Sequence, residues 1–501
     1  MWLATAGCRS LGICLNGQVP LDNSYPTEPQ DVLIYGATGD LASHRLWPAL
    51  YNLHCAGLLP VRGVLVGVAL DVLSRERFID MVAEYIQWAP NTHWDARRFR
   101  SFTRRLRYHA LGPSLREDLL TDCRQHKRVV YLSTPPSVFE PTLCQLQEFG
   151  LAEGLAVVIE KPFGHDLISA QYLNSVLHKT VPESSIFRID HYLGKETVQN
   201  LLVLRFGNSM FQHVWNRQAV ESVQITVAES EGVEHRGHIY EENGAIRDVV
   251  QNHMMQLLAL TCLTPPAHMG AEALRDEKVK VLQAISPISP NDVVLGQYGP
   301  GTIAGQDVPG YRAIYGVAPD SQVETYAAMR CFVNTWEWAG VPFYLRTGKA
   351  LCVKRTEIVL TFRDVPLHFF PTEGLAGLQR NRLTVRIQPD EGISLSFNVK
   401  SPGNHGGEHP ARMNFSYDQE FDRPAAEAYE RLLHDVFMRD HTLFIREDET
   451  EAAWAALAPL AQNRPPVRTY PAGSFGPIEA DALFEHWHQL KHHMAGGPRR
   501  R

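Results

Sequence analysis

The 501-residue sequence lacks the features of several large classes of protein. Its eight cysteines are scattered and no two form a Cys-x-x-Cys pair, so the spacing favours reduced thiols over a disulfide framework or a zinc site. No apolar run reaches the ~18 residues that a membrane span needs. Internal repeats and low-complexity segments are also missing. These absences predict a globular cytoplasmic protein with no membrane partner.

An excess of basic residues is missing as well. The chain has 48 Lys and Arg against 55 Asp and Glu, a net charge of −7, which argues against binding nucleic acid or an anionic membrane. An anionic small molecule would need a local basic cluster. The hydrophobic content of 44% and charged content of 21% are ordinary for a soluble enzyme. The length exceeds what one core supports, so two domains are expected.

The two ends of the chain read as tails. Residues 1–30 begin with a mildly apolar stretch that has no basic start and is interrupted by Gly7, Arg9 and Gly12. This pattern favours a flexible tail over a secretion signal. Residues 491–501 form a basic C-terminal tail.

Short apolar runs alternate with helical patterns over residues 31–196. The runs Asp31–Tyr35, Gly63–Ala69, Arg128–Leu132 and Ala156–Ile159 read as buried parallel strands. Strands that alternate with helices predict a doubly wound parallel sheet, the Rossmann-type α/β fold of a dinucleotide-binding domain.

A turn containing two glycines, Gly36-Ala-Thr-Gly39-Asp-Leu-Ala42, directly follows the first run and precedes a helical pattern that ends near Gly57. Gly36 permits a tight turn, and Gly39 permits close approach of the backbone to a pyrophosphate. The amides at the start of the helix favour the same anion. The context therefore predicts a nucleotide-binding loop that includes Thr38, Asp40 and Leu41.

The pattern changes over residues 197–490. Strand-like segments at Val220–Ala228, Glu357–Phe362, Leu383–Ile387 and Ile393–Val399 are not each followed by a helix. Helical patterns cover 247–263 and 272–285. This organisation predicts an α+β domain with a large, mainly antiparallel sheet.

The densest group of chemically useful side chains is Arg188-Ile-Asp-His-Tyr-Leu-Gly-Lys-Glu196. Its lysine offers a point charge for phosphate, its histidine and tyrosine offer directional donors, and its aspartate can orient a base. A solvated charged turn would have a similar composition. The order of the residues, however, resembles the signature of the glucose-6-phosphate dehydrogenase family. The resemblance extends over most of residues 31–490.

The resemblance implies oxidation of glucose 6-phosphate at C1 to 6-phospho-gluconolactone, with hydride transfer to a nicotinamide dinucleotide. His253 would be the general base, and the family pairs the aspartate corresponding to Asp190 with it. Spacing agrees, because Asp248 lies five residues before His253, about 140° away on a regular α-helix, and is a poor partner. His191, Tyr192 and Lys195 would hold the phosphate.

The resemblance also supplies the remaining site residues. Lys161, in the Glu160–Gly164 loop, would lie between nicotinamide and sugar in a setting that often carries a cis proline. Other substrate positions of the family correspond to Glu229, Asp248, Lys349, Lys354 and Gln388. Cofactor positions correspond to Gly36, Thr38, Gly39, Asp40, Leu41, Arg45, Asp71, Pro135 and Lys161. The family forms dimers through its second domain, so a homodimer or homotetramer is expected.

Cofactor preference is where the chain departs from the family. Most members carry an arginine after the second strand, which receives the 2′-phosphate of NADP. This chain has Leu70 followed by Asp71, and an acid there favours the 2′-hydroxyl of NAD. The resemblance alone implies NADP, whereas these residues favour NAD. Alternatively, Asp71 caps a helix, and Thr38, Arg75 or Arg77 supplies the phosphate contact.

Two other functions are compatible with parts of the pattern. A sugar dehydrogenase of the glucose–fructose oxidoreductase type shares the nucleotide domain and the Glu-Lys-Pro loop, but it would not need the donors His191, Tyr192 and Lys195. A catalytically inactive sugar-phosphate sensor would not need Asp190 and His253.

Overall fold

The structure is a computed structural model that describes residues 26, 28–367, 379–402, 408–421, 427–484 and 487. The predicted basic tail at 491–501 lies outside the described residues, as does most of the predicted tail at 1–30. Within the described ranges, no helix is both long and apolar enough to cross a membrane.

The first sheet has six strands, all parallel, as the alternating apolar runs predicted. They are β1 (Gln30–Tyr35), β2 (Leu65–Ala69), β3 (Leu106–Ala110), β4 (Lys127–Leu132), β5 (Leu155–Ile159) and β6 (Ile186–Arg188). Their spatial order is β3-β2-β1-β4-β5-β6, so the order reverses between β1 and β4. Open α/β sheets bind ligands at such a reversal, beyond the carboxyl ends of the strands.

Helices connect the strands of this sheet. They are α1 (Trp47–Ala56), α2 (Arg75–Trp88), α3 (Ala96–Thr103), α4 (Leu115–Asp122), α5 (Phe139–Glu148) and α6 (Leu167–Thr180). Local sequence sets their ends. Ser74 accepts a hydrogen bond from the amide of Arg77 and so caps α2, while Gly57, at φ 75°, ends α1 in a left-handed conformation. A short π-helix, Ala42–Leu46, precedes α1.

The later helices belong to the part of the chain that also forms the second sheet. They are α7 (Glu196–Phe206), α8 (Gly237–Ala245), α9 (Met255–Cys262), α10 (Ala271–Gln283), α11 (Tyr417–Glu420), α12 (Ala428–Met438) and α13 (Glu447–Gln462). Between α8 and α9 the chain forms a nine-residue π-helix, Ile246–Met254. The sequence predicted an uninterrupted helical stretch there, but not this geometry.

The second sheet has nine strands in the order β16-β15-β14-β13-β7-β12-β11-β8-β17. The second-domain strands are β7 (Val220–Ala228), β8 (Val293–Gly299), β9 (Gly301–Ile303), β10 (Gln306–Val308), β11 (Tyr326–Phe332), β12 (Pro342–Gly348), β13 (Arg355–Phe362), β14 (Arg382–Gln388), β15 (Gly392–Lys400), β16 (Glu408–Ser416) and β17 (Val467–Pro471). Strands β9 and β10 form a separate hairpin. Only the β7–β12 and β8–β17 pairs of the large sheet are parallel, so the predicted mainly antiparallel sheet is confirmed.

The last part of the chain returns to the first sheet. Helix α12 packs against α1, and the Gln30 side chain donates to the carbonyl of Phe437 at 2.8 Å. Arg439, just past α12, donates to the carbonyls of Arg128 and Gly154 at 3.1 and 3.3 Å. One apolar core therefore includes residues from both sheets.

Candidate active site

Four loops meet beyond the carboxyl ends of strands of the first sheet. They follow β1, β4, β5 and β6, and parallel strands bring all four to one edge. The first begins at Gly36, whose φ is 81°. A Cβ atom there would lie 2.2 Å from the carbonyl oxygen of Ser133, at the end of β4. This close approach accounts for the glycine.

The turn after β1 also reaches the end of β2. The hydroxyl of Thr38 donates to Asp71 Oδ2 at 2.6 Å, and the Tyr108 hydroxyl donates to the Asp71 carbonyl at 2.5 Å. Asp71 is therefore held facing the nucleotide loop, while the neighbouring Leu70 is 81% exposed. Asp40 is exposed and pairs with His44.

Two of the alternative roles considered for this region, a cap from Asp71 and a phosphate contact from Arg75, do not match the geometry. Ser74 and not Asp71 caps α2. The guanidinium of Arg75 donates to the carbonyls of Leu106 and Thr103 at 2.9 and 2.7 Å, which commits it to the protein interior. Arg77 is exposed and lies 3.9 Å from Glu84.

Arg45 and Pro135 lie at the outer part of this edge. Arg45 extends from the π-helix before α1 towards Glu427, with 3.7 Å between the charged atoms. Pro135 is exposed and precedes a short 3₁₀ turn after β4. Leu41 is half-buried beneath the same turn.

Asp190 and His253 form a buried pair at the centre of the site. The Nδ1 atom of His253 lies 2.6 Å from Asp190 Oδ1, which also accepts from the amide of Tyr192 at 2.9 Å. Burial raises the pKa of Asp190, but the charge of His253 and its hydrogen bond outweigh burial and lower that pKa to about 2. Burial also lowers the pKa of His253, and Asp190 opposes this only in part. The pair consequently holds a carboxylate against a neutral imidazole at neutral pH.

Lys161 joins this pair from the loop after β5. Its Nζ atom lies 2.9 Å from His253 Nε2 and 2.9 Å from Asp248 Oδ1. The bond between Lys161 and Pro162 is cis, as the resemblance implied. Burial raises the pKa of Asp248, but Lys161 and then Lys349 outweigh burial and hold it below its ordinary value.

The expectation that Asp248 and His253 face different directions is wrong. It assumed an α-helix, whereas both residues lie in the π-helix Ile246–Met254. A π-helix bonds residue i to residue i+5, so two residues five apart lie about one turn from each other. Both therefore contact the same lysine. The Asp190–His253 pair itself is observed.

The residues after β6 surround the imidazole. The His191 ring lies edge-on to that of His253, 4.6 Å between centroids, and the Tyr192 ring stacks on it at 4.3 Å. Lys195 Nζ donates to Gln388 Oε1, and burial lowers the pKa of this lysine. Burial, and then the nearby charges of His253 and Lys161, lower the pKa of His191.

The second sheet contributes an ion pair. Lys349 and Glu229 bind each other, and they follow the parallel neighbours β12 and β7, whose ends meet. Lys354 lies farther out, half-exposed, 2.9 Å from Glu231. The site thus gathers all the predicted substrate residues, with Lys354 at its margin.

Glu160, Thr356 and Tyr429 lie near the site and were not predicted. Glu160 Oε1 accepts from the hydroxyls of Tyr131 at 2.5 Å and Tyr429 at 3.1 Å, and burial raises the pKa of Glu160 to about 7. Thr356 accepts from Gln388 at 3.0 Å. Adjacency to Lys161 could have indicated Glu160, but no local signal distinguishes Thr356 or Tyr429.

Replacing Asp190 by Asn should move the titration of His253 to lower pH. The carboxylate raises the pKa of the imidazole against burial, so its loss leaves burial less opposed. An NMR titration of the histidine ring signals would measure the shift.

A half-buried histidine elsewhere in the same molecule provides the control. Burial and then the charge of Arg105 lower the pKa of His54, on α1, and its midpoint should be unchanged in Asp190→Asn. An unchanged or higher midpoint for His253 would contradict the assignment of Asp190 as its partner.

Comparison with known proteins supports one family throughout. The family model for the glucose-6-phosphate dehydrogenase NAD binding domain matches residues 33–200, and that for the C-terminal domain matches residues 202–492. The chain is 43% identical to glucose-6-phosphate 1-dehydrogenase of Chlamydia pneumoniae over 492 residues, covering 92% of this chain and 96% of the relative. It is 42% identical to that of Mycolicibacterium smegmatis over 494 residues, covering 92% and 98%.

Solved structures agree. Glucose-6-phosphate 1-dehydrogenase from Mycobacterium avium superimposes with a TM-score of 0.81 at 36% identity, covering 91% of this chain and 97% of that chain. A glucose-6-phosphate dehydrogenase in complex with glucose 6-phosphate gives 0.83 at 35% identity, covering 92% and 97%. The chain therefore belongs to the glucose-6-phosphate dehydrogenase family.

Proposed function

We propose that this protein oxidises glucose 6-phosphate at C1 to 6-phospho-gluconolactone. The observation that carries the proposal is the buried Asp190–His253 pair with Lys161 on the free ring nitrogen, in a chain of this family. Measuring reduced-cofactor absorbance with glucose 6-phosphate, with glucose and with no sugar tests it. Activity with glucose alone would favour the glucose–fructose oxidoreductase type, and no activity would favour an inactive sensor.

In the proposed mechanism, His253 Nε2 removes the proton from the C1 hydroxyl. Its low pKa keeps the imidazole neutral and able to accept. Asp190 then stabilises the imidazolium and keeps Nδ1 as the donor of the pair. A bound nicotinamide dinucleotide supplies the hydride acceptor.

Lys161 occupies the position that the reacting hydroxyl needs. Its ammonium lies on His253 Nε2 and on Asp248, so the substrate hydroxyl displaces it from the imidazole only. Remaining on Asp248, it places a positive charge beside the oxygen that loses its proton, where charge develops.

The remaining polar residues hold the sugar phosphate. His191, Tyr192 and Lys195 bind the phosphate, with Lys195 released from Gln388. Glu229, Asp248 and Lys349 bind sugar hydroxyls, with Lys354 and Gln388 at the edge. The ion pairs that these groups now form keep buried charges compensated before substrate arrives.

The nucleotide loop fits the cofactor. Only a hydrogen side chain is tolerated at Gly36 against Ser133, which permits the backbone approach that a pyrophosphate requires. Gly36, Gly39, Asp40 and Leu41 would surround the pyrophosphate. Thr38 and Asp71 would face the adenosine ribose, and Arg45, Pro135 and Lys161 the nicotinamide half.

From the family resemblance we also propose the division into residues 31–196 and 197–490, and a cytoplasmic homodimer or homotetramer. Val399 and Met413, which are exposed on adjacent strands β15 and β16, support an interface on the second sheet.

Replacing His253 by Asn should lower turnover by at least ~10²–10⁴-fold, the typical effect of losing an acid–base group, and leave substrate binding nearly unchanged. Steady-state kinetics and substrate affinity measure both. His109→Asn removes a histidine of another His–Asp pair and should keep full activity. Near-normal turnover in His253→Asn would make His253 structural.

Replacing Lys195 by Ala should raise KM for glucose 6-phosphate far more than KM for glucose. The reason is that a lysine charge binds the phosphate and contributes nothing to the unphosphorylated sugar. Kinetics with both sugars measure the difference. Equal losses on both would show that Lys195 does not contact phosphate.

We further propose that NAD is used at least as well as NADP. Asp71 is held towards the nucleotide loop by Thr38, and Arg75 is bound to backbone carbonyls. These contacts support the proposal, because an acid near the adenosine ribose favours the 2′-hydroxyl of NAD over a 2′-phosphate. A specificity constant for NADP more than about a hundredfold above that for NAD, roughly 2.7 kcal/mol, would contradict the proposal.

Replacing Leu70 by Arg should shift the specificity ratio towards NADP by about tenfold to a hundredfold, because a charge-assisted hydrogen bond to the 2′-phosphate is gained. Kinetics with both cofactors measure the ratio. Val72→Arg is the matched control, since Val72 is 90% exposed on the same turn and adds the same charge two residues away. An equal shift in both variants would indicate a general charge effect and not a contact at position 70.

A further inference from the structure

Helix α13, Glu447–Gln462, lies outside the candidate site. It contacts the three segments that carry the central side chains of the site: the Lys161 loop, the strand before Asp190 and the helix of His253. Its own residues are far in sequence from Lys161, Asp190 and His253. Three separate buried contacts connect α13 and the residues just before it to those segments.

The first contact fixes the loop of Lys161. The indole Nε1 of Trp454 donates to the carbonyl of Phe163 at 3.0 Å. Trp454 is 5% exposed and Phe163 2% exposed, so water does not replace this bond if it is lost. Phe163 lies two residues after Lys161, which makes the bond an anchor for the loop that places the ammonium.

The second contact fixes the helix of His253. Glu449 Oε2 accepts from Gln256 Nε2 at 3.0 Å and lies 2.8 Å from Lys278 Nζ. Gln256 stands three residues after His253, where α9 continues the π-helix. Lys278 also donates to Gln256 Oε1 at 3.1 Å. Glu449 and Lys278 are essentially unexposed. Every donor and acceptor of this network therefore needs a hydrogen-bond partner, since an unpaired buried charge is strongly destabilising.

The third contact fixes the strand that leads to Asp190. The amide of Ile445 donates to the Arg188 carbonyl at 3.2 Å. The fully buried Arg188 binds Glu183, and Glu183 also accepts from the amide of Glu447 at 3.1 Å. A carboxylate is thus bound at the N-terminus of α13, where the helix dipole favours it.

Lys161 and Asp190 follow strands of the first sheet, whereas His253 lies on the π-helix Ile246–Met254. The imidazole is 2.6 Å from Asp190 and 2.9 Å from Lys161. Displacement of about 1 Å in such a constellation can cost about a hundredfold in rate. Because α13 is hydrogen-bonded to all three segments, it restricts their movement relative to one another.

We propose that Glu449 and Trp454 are positioning residues that hold the His253 helix and the Lys161 loop in the geometry for hydride and proton transfer. The inference rests on the proposed function, because it concerns the geometry of that reaction. Both residues are buried and neither is among the residues proposed to bind substrate or cofactor. Their effect therefore falls on the chemical step and not on binding.

Trp454→Phe tests the loop contact. It keeps a buried ring and deletes the N–H donor. We expect kcat to fall by about tenfold to a hundredfold, with KM for both substrates within about threefold. The deuterium isotope effect on kcat with C1-deuterated glucose 6-phosphate should rise, because a slower hydride transfer limits turnover more fully.

Trp338→Phe is the matched control. Its buried Nε1 donates to the carbonyl of Cys262 at 3.0 Å, at the far end of α9. It should lose similar thermal stability yet keep kcat and the isotope effect. The inference is overturned if Trp454→Phe keeps wild-type kcat and isotope effect, or if both variants lose kcat alike.

The Glu449 contact needs two variants. Glu449→Gln leaves the buried Lys278 without its counter-charge, with only neutral partners such as Gln256, and can prevent folding. The double variant Glu449→Leu with Lys278→Met removes both charges and fills the space, but Gln256 loses both of its partners, Glu449 at Nε2 and Lys278 at Oε1. We expect the double variant to fold and to show the same lowered kcat and raised isotope effect. Full activity in a folded double variant would overturn the role of Glu449.

The unmodified enzyme tests the proposed function separately from the positioning role. Reduction of the cofactor by glucose 6-phosphate, with an isotope effect from C1 deuterium, tests the proposed function by itself. Failure of that reaction would refute the function, whereas normal activity with unaffected Trp454 and Glu449 variants would refute only the positioning role.

Discussion

The hydrogen bond between Asp190 and His253 is the contact on which the arrangement of the two sheets depends. Asp190 follows the last strand of the parallel sheet, and His253 lies on a helix packed against the mixed sheet. Their atoms are 2.6 Å apart and almost fully buried. A buried carboxylate is tolerated only when its partners are in place, so the sheets cannot shift relative to each other without exposing or stranding a charge. The continuous apolar core between them meets that requirement.

The lysines around this pair each have a polar or charged partner within the protein. Lys161 lies against Asp248, Lys349 against Glu229, and Lys195 against the Gln388 amide. A hydroxyl or a phosphate of a ligand can replace each of these contacts with a hydrogen bond of its own. The ion pairs of Lys161 and Lys349 compensate two buried charges, and Lys195 keeps a neutral partner that an anion can replace.

Much of the fold could be predicted from the sequence because its signals are local. Apolar runs and the glycines after β1 identified the parallel sheet, and partial alternation identified strands of the second sheet. Periodicity did not reveal the π-helix, because its nine residues make only about two turns, too few for an apolar pattern to separate it from an α-helix. The predicted relation of Asp248 to His253 was therefore wrong. Thr356 and Tyr429 were missed because their contacts join residues 32 and 269 positions apart, a distance that no local pattern spans. The catalytic and binding roles stay predictions.

Helix α12 has a consequence for how the chain is made. It packs on α1, and the bond between Gln30 and Phe437 joins residues 407 positions apart. During synthesis the first strand emerges long before the segment that completes its surroundings. The nucleotide-binding half must wait, partly uncovered, until almost the whole polypeptide has left the ribosome. A polypeptide that stopped before residue 428 would therefore lack the helix that packs on α1.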